Sequence, residues 1–156
     1  MTQHPAAAHA AALLALLGAC AGQHRPAGAY RPVRRDVTIT AVPLLTREMR
    51  RIYPFLARDF AAGGVLAGKE LYAFEPSTVT AVEGDTLALT LVNPEDDEHS
   101  FVLPGLAVDL PGQSTVTATY VAAAPGLVRF TCAVAAHLPY MVGTLVVLPA
   151  ASFAAR

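Results

Sequence analysis

The chain has 156 residues, enough for one domain with an extension, and 54% of them are hydrophobic against 15% charged. Its formal net charge of -1 argues against nucleic acid as a partner. The charges are unevenly spread, because a basic stretch with eight arginines between residues 21 and 60 precedes an acidic remainder.

Residues 1–19 are predicted to be an export signal. The run "AAAHAAALLALLGAC" has the length of a signal-peptide core and is too short to span a bilayer comfortably. It ends in Leu17-Gly18-Ala19-Cys20, which resembles the bacterial lipobox. The resemblance implies that Cys20 is the lipid-modified N-terminus of a membrane-anchored protein in the periplasm or another extracytoplasmic space. An ordinary signal peptide, or a short buried helix with a chance cysteine, stays open.

Residues 20–66 are predicted to be a linker and an N-terminal extension. After a stretch rich in proline and arginine, alternating β-branched residues predict a strand from Val37 to Val42. A short helix is expected to begin at Thr46, with an interruption at Pro54. This segment either packs on the domain or touches a membrane. The basic leader either lies on anionic lipid, folds back on the acidic domain, or is a solvated linker.

Residues 67–156 are predicted to form an all-β domain. Some seven short strands, such as "TLALTLVN" and "STVTATYV", alternate between apolar and polar residues and are separated by proline and glycine turns. No helical period interrupts this half of the chain. The pattern predicts a Greek-key β-sandwich.

Four side chains with affinity for soft metals stand out in this domain. Cys132, His137 and Met141 fall within ten residues, and His99 opens a strand after the acidic loop "NPEDDE". Taken singly, each has an ordinary interpretation as a buried thiol, a solvated histidine or a core methionine. Together, two imidazoles and a thiolate with a distant thioether are the ligand set that selects copper. A metal would also occupy Cys132, which has no disulfide partner if Cys20 carries lipid.

The segment "FTCAVAAHLPYMVGTLVV", preceded by "VEGDTLALTLVN" and "NPEDDEHSF", resembles the mononuclear blue-copper cupredoxins, with the C-x4-H-x3-M spacing of azurins. The resemblance covers roughly residues 68–148. It implies one copper ion held by the thiolate of Cys132, the imidazoles of His99 and His137, and an axial thioether from Met141. The spacing of dinuclear copper domains, C-x3-C-x3-H-x2-M, does not match this segment.

Two positions depart from the azurin pattern. Ser100 replaces the asparagine that follows the first histidine and braces the ligand loop, and Glu98 replaces the glycine before that histidine. Ser100 is expected to hydrogen-bond across to the Thr131–Cys132 strand in its place.

The resemblance implies single-electron transfer between extracytoplasmic redox partners, and no enzyme activity. It places the outer edge of His137 near the surface, beside an apolar docking patch that includes Leu138, Pro139 and Tyr140. The acidic loop would steer a basic partner, such as a c-type cytochrome or a terminal oxidase or reductase. A copper carrier, or an accessory domain for a copper oxidase, is the alternative that uses the same fold.

Overall fold

The computed structural model describes residues 28–153. The predicted signal, and the predicted lipid site at Cys20, lie outside these residues. Within them, nine strands, one α-helix and three 3-10 turns follow one another. The strands are β1 (Arg34–Leu45), β2 (Leu71–Glu75), β3 (Thr78–Val82), β4 (Thr86–Asn93), β5 (His99–Leu103), β6 (Leu106–Leu110), β7 (Ser114–Val121), β8 (Gly126–Thr131) and β9 (Val142–Leu148). The helix α1 spans Leu56–Phe60, and the 3-10 turns span Arg47–Arg51, Ala135–His137 and Ala150–Phe153.

The strands form two sheets, in the orders β2-β1-β4-β7 and β3-β9-β8-β5-β6. Most neighbours are antiparallel, but β1 pairs with β4 and β3 pairs with β9 in parallel. Burial alternates along the strands, and it does so without a break along all eight residues of β4. This period of two places one face of each sheet on a shared core. The predicted two-sheet β-sandwich is therefore confirmed.

The first strand is longer than predicted and belongs to the sandwich itself. The sequence predicts a strand from Val37 to Val42, whereas β1 spans Arg34–Leu45. It lies between β2 and β4 in the sheet. Its inward residues Ile39 and Ala41 are 1% and 0% exposed. Part of the predicted extension, residues 34–45, is therefore a strand of the sandwich. Burial of the apolar side chains of Ile39 and Ala41 stabilises it there.

The expected helix after Thr46 is split. A 3-10 turn covers Arg47–Arg51 and α1 covers only Leu56–Phe60. Pro54 lies between them, and a proline has no N–H with which to continue a helical hydrogen-bond ladder. No helix among the described residues has the length and apolar character needed to cross a membrane.

The core is aromatic at its centre. The rings of Phe74, Phe101 and Phe130 pack together with centroids 5.0–5.6 Å apart. Phe74 comes from one sheet, and the other two rings come from the opposite sheet. Fully burying one such side chain stabilises the fold by about 1.5–3 kcal/mol. Tyr72 lies two residues before Phe74, on the same face of β2. Its ring extends the aromatic packing to the end of the sandwich where the histidines lie.

Candidate metal centre

Three elements bring the predicted ligands to one end of the sandwich. His99 is the first residue of β5, and Cys132 directly follows β8, its antiparallel neighbour in the sheet. His137 ends the 3-10 turn that lies between β8 and β9. Because antiparallel neighbours place the start of one strand beside the end of the other, residues 33 positions apart in the chain meet here.

The donor atoms of these residues converge. Nδ1 of His99 lies 3.1 Å from Nδ1 of His137, which lies 3.6 Å from Sγ of Cys132. One donor atom from each of the three residues lies within 4.8 Å of the others. His99 and His137 are each 3% exposed and Cys132 is 0% exposed. Two imidazole nitrogens and one sulfur, gathered out of contact with solvent, form a group that can hold a metal ion.

Met141 is fully buried directly before β9, and backbone hydrogen bonds join it to two of the other predicted ligands. Its carbonyl accepts a hydrogen bond from the N–H of Cys132 at 3.0 Å, and its own N–H donates to the carbonyl of His137 at 3.1 Å. The ligand loop is therefore closed on itself by its backbone. The structure places Met141 next to Cys132 and His137, and its role as an axial ligand stays a prediction.

Ser100 supports the sulfur. Its N–H donates to Sγ of Cys132 at 3.4 Å, and its hydroxyl lies 3.9 Å from the same atom. The hydroxyl also accepts a hydrogen bond from the N–H of Ala133 at 2.8 Å. The predicted hydrogen bonding of Ser100 across to residues 131–132 thus involves the sulfur of Cys132, and it also includes the N–H of Ala133. These contacts hold the sulfur in place beside Nδ1 of His137.

Tyr72 forms a wall of the site that sequence reasoning missed. Its ring centroid lies 4.6 Å from that of His99 and 4.7 Å from that of His137. Its hydroxyl donates to the carboxylate of Asp97, in the acidic loop. The alternation in "LYAFE" predicts that Tyr72 points into the core, but no local signal shows that histidines from distant segments will meet it there.

The surroundings of both histidines lower their pKa values and so favour the neutral form. Burial first, and then the charge of His137, lower the pKa of His99 to about 4, although Asp97 opposes the shift. Burial also lowers the pKa of His137, against the opposing influence of Asp97 and Glu70. Nε2 of His99 is the one buried side-chain nitrogen or oxygen among residues 28–153 without a hydrogen-bond partner. A neutral imidazole has the lone pair that metal ligation requires, so this environment suits a ligand.

The predicted docking residues lie at the surface beside the site. Leu138 is 38% exposed and Tyr140 is 51% exposed, with exposed Pro139 between them. His137, whose outer edge the resemblance placed near the surface, is itself only 3% exposed. The ring is therefore buried next to exposed apolar neighbours.

No protein-family profile matches the chain, and no curated protein is significantly similar to it. Solved copper proteins do share its fold. A copper nitrite reductase from Nitrosomonas europaea is 18% identical, with a TM-score of 0.52 over 74% of this chain and 42% of that one. A multicopper oxidase from Pseudomonas thermotolerans is 13% identical, with a TM-score of 0.53 over 77% of this chain and 31% of that one. A third, multicopper oxidase mgLAC, is 15% identical, with a TM-score of 0.52 over 75% of this chain and 39% of that one.

At these identities the likeness shows the fold alone. The chain spans less than half the length of each of these proteins. Its β-sandwich is the cupredoxin-like fold, as predicted, and its group of two histidines and a cysteine fits a type 1 metal site.

Proposed function

We propose that this protein is an extracytoplasmic electron-transfer protein that holds one copper ion. Nδ1 of His99, Nδ1 of His137 and the thiolate of Cys132 would hold the ion, and the thioether of Met141 would be a fourth ligand. The observation that carries the proposal is the convergence of these three buried side chains, with Nδ1 of His137 3.1 Å from Nδ1 of His99 and 3.6 Å from Sγ of Cys132.

The chemistry of the donors favours copper. Hard cations such as magnesium and calcium prefer oxygen ligands, whereas imidazole and thiolate together suit copper or zinc. A buried methionine at the C-x4-H-x3-M spacing adds a soft fourth group, which favours copper over zinc. A copper ion bound in such a site supplies reversible one-electron chemistry.

Burial excludes water from this site, and hydrogen bonds hold its side chains in place. The hydrogen bonds of Cys132 and His137 to the backbone of Met141 set the shape of the loop, and Ser100 holds the sulfur from the other side. A frame that changes little between two oxidation states keeps the reorganisation energy low. Full burial of Cys132 also opposes ready exchange of the ion, which favours an electron carrier over a copper-delivery protein.

Electrons would pass through His137 to a partner that docks on Leu138, Pro139 and Tyr140. A small apolar patch suits brief encounters in which release is fast. The acidic loop of Glu95, Asp96, Asp97 and Glu98 would steer a basic partner, such as a c-type cytochrome or a terminal oxidase or reductase. We propose that the protein is a carrier and not itself an enzyme, tethered to a bacterial membrane through a lipid on Cys20.

The test is the optical and EPR spectrum of the protein after loading with Cu(II). We expect an intense thiolate-to-copper band and a narrow copper hyperfine splitting, both lost in Cys132→Ser and kept in the control Met49→Leu. A colourless protein with an ordinary Cu(II) spectrum contradicts the proposal. That result would point to copper carriage or to a role in the assembly of a copper oxidase.

A further inference from the structure

A second feature lies between β1 and β2, in the segment that the sandwich itself does not use. Residues 50–55, Arg-Arg-Ile-Tyr-Pro-Phe, are all exposed, and we call them the tip. Ile52 is 72% exposed, Phe55 is 68% exposed and Tyr53 is 50% exposed. Single exposed apolar residues are common, but three in one short turn, directly after two arginines, form a surface with both apolar and cationic character.

Several backbone groups of the tip are paired within the segment. The N–H groups of Ile52 and Tyr53 donate to the carbonyl of Met49 at 3.0 and 2.7 Å. The N–H of Leu56 donates to the carbonyl of Tyr53 at 3.0 Å, and the side chain of Leu56 is buried, at 5% exposed. An unpaired backbone group is costly in an apolar medium, so each of these hydrogen bonds lowers the cost of moving the turn out of water.

The charge around the tip is positive. Between residues 46 and 64, four arginines oppose two carboxylates. Arg58 lies 3.6 Å from Asp59 and Arg47 lies 3.9 Å from Glu70, but within residues 28–153 no ion pair engages Arg50 or Arg51. Nε of Arg50 donates to the carbonyl of Arg47 at 2.8 Å, so its two terminal nitrogens and the guanidinium of Arg51 are available to phosphate, which arginine binds well.

We propose that the tip binds the surface of an anionic bilayer. Ile52, Tyr53 and Phe55 enter the boundary between headgroups and acyl chains, while Arg50 and Arg51 pair with lipid phosphates. Tyrosine suits this boundary because its ring is apolar and its hydroxyl can remain hydrated. A fluid boundary accommodates a protruding turn without a matching cavity, whereas a protein partner would have to offer a concave apolar pocket edged by acids.

Binding through the tip would also set the position of the candidate metal centre. The segment that carries the tip is joined to the ligand loop, because the N–H of Glu70 donates to the carbonyl of Ala136 at 3.3 Å. Nζ of Lys69 donates to the carbonyl of Ala135 at 3.1 Å. A docked tip would therefore link the position of the ligand loop to that of the membrane, a consequence that rests on the proposed electron-transfer function.

The test is co-sedimentation of metal-free protein with lipid vesicles. The protein comprises residues 20–156 with Cys20→Ser, so that it carries neither the predicted signal nor an acyl group, and the vesicles are phosphatidylcholine with or without phosphatidylglycerol. We expect binding to the anionic vesicles only, and we expect it to weaken as salt is added. Equal binding to neutral vesicles would overturn the proposal.

Substitutions in the tip test whether these residues bind the vesicles. Replacing Arg50 and Arg51 by serine should weaken affinity for anionic vesicles about fivefold for each arginine. Ile52→Ser combined with Phe55→Ser should weaken it about tenfold or more. The matched control is Leu127→Ser with Arg129→Ser, which removes an exposed leucine and an exposed arginine from β8. The control should bind as the parent does, and circular dichroism should show that all variants are folded.

Two results would contradict the inference. Tip variants that bind like the parent would assign vesicle binding to another part of the chain. An absence of vesicle binding, with tip variants that instead lose association with an acidic protein, would assign the surface to a protein partner. Neither result bears on copper, because the assay uses metal-free protein and the copper spectrum is measured separately.

Discussion

The hydroxyl of Tyr72 donates a hydrogen bond to the carboxylate of Asp97, and this bond joins β2 to the acidic loop that precedes His99. Burial first, and then the hydrogen bond to Asp97, raise the pKa of Tyr72, so the phenol stays protonated and remains a donor. The backbone carbonyl of Asp97 also accepts a hydrogen bond from the buried side-chain amide of Asn93 at 2.7 Å. Asp97 is thus held from two sides, next to a histidine of the candidate metal centre.

Tyr72→Phe tests the importance of this hydrogen bond. The ring keeps its packing on both imidazoles, but Asp97 loses a donor, and we expect the free energy of unfolding to fall by about 1–3 kcal/mol. Urea denaturation of the metal-free protein measures the change. The control Tyr120→Phe removes a hydroxyl from a half-buried tyrosine on β7 and should cost much less. An equal effect of the two variants would contradict a special role for the Tyr72–Asp97 bond.

The buried histidines predict a pH dependence of the metal-free protein. Burial lowers the pKa of His99 to about 4, whereas an unfolded chain titrates near 6.5. Between these values the unfolded state binds more protons, so the free energy of unfolding should fall as the pH falls from about 6.5 to about 4. Urea denaturation across this range measures the slope, which should be shallower in His99→Gln. A slope that His99→Gln leaves unchanged would assign the effect to other groups.

Ser100→Ala removes the hydroxyl that braces the sulfur. The N–H of Ala133 loses its acceptor, and the thiolate of Cys132 keeps only the backbone donor of residue 100. We expect a loss of about 1 kcal/mol in unfolding free energy and a shifted thiolate-to-copper band in the loaded protein. Ser114→Ala is the control, since Ser114 donates only to the carbonyl of Pro111 on an exposed loop. It should leave the band where it is.

Asp85 stabilises the other end of the sandwich. It is 0% exposed and accepts hydrogen bonds from the hydroxyl of Tyr30, Nε of Arg35 and the N–H groups of Val33 and Val82, at 2.5–3.0 Å. Asp85→Ala should lower the free energy of unfolding by roughly 2–4 kcal/mol, because it leaves these donors without their acceptor. Thermal denaturation should show this loss while the copper spectrum stays unchanged. The control Asp36→Ala removes an exposed ion pair with Arg34 and should cost about 1 kcal/mol or less.

Asp85 should not contribute to the pH dependence ascribed to the histidines. Burial raises its pKa, but the hydrogen bonds from Tyr30, Val33, Arg35 and Val82 outweigh burial and hold the pKa well below its usual range. A depressed carboxyl pKa stabilises the protein above about pH 4, and the stabilisation is lost only in stronger acid. Acid denaturation of Asp85→Ala below pH 4 should therefore be less steep than that of the parent.

The proposed docking patch predicts slower electron transfer in charged variants. Leu138→Glu and Tyr140→Glu place a carboxylate on the apolar surface beside His137 and should lower the second-order rate with a c-type cytochrome about tenfold. The copper spectrum should stay the same, because neither side chain is a proposed ligand. Leu127→Glu, at the far end of β8, controls for the added charge. Stopped-flow rates equal to those of the parent would rule out docking at this patch.

Much of the candidate site could be read from the chain because its residues are close in sequence. Cys132, His137 and Met141 lie in one loop, so their spacing alone constrains what they can bind together. The strands were likewise visible, since alternation of apolar and polar residues reflects burial of one sheet face. The interruption at Pro54 was visible too, but the pattern after Thr46 did not show that the first piece is a 3-10 turn or that α1 spans only Leu56–Phe60.

Local sequence therefore determined the two-sheet β-sandwich and the group of candidate ligands, because strand period and loop spacing act over a few residues. Only the tertiary structure decided which distant side chains complete the site and hold the fold. Tyr72 reaches both histidines across the sandwich, Asp85 collects donors from residues 30–35, and β1 inserts beside β4 in parallel. These contacts join segments tens of residues apart. They form because a close-packed core requires apolar side chains from distant segments to pack together and buried polar groups to be hydrogen-bonded.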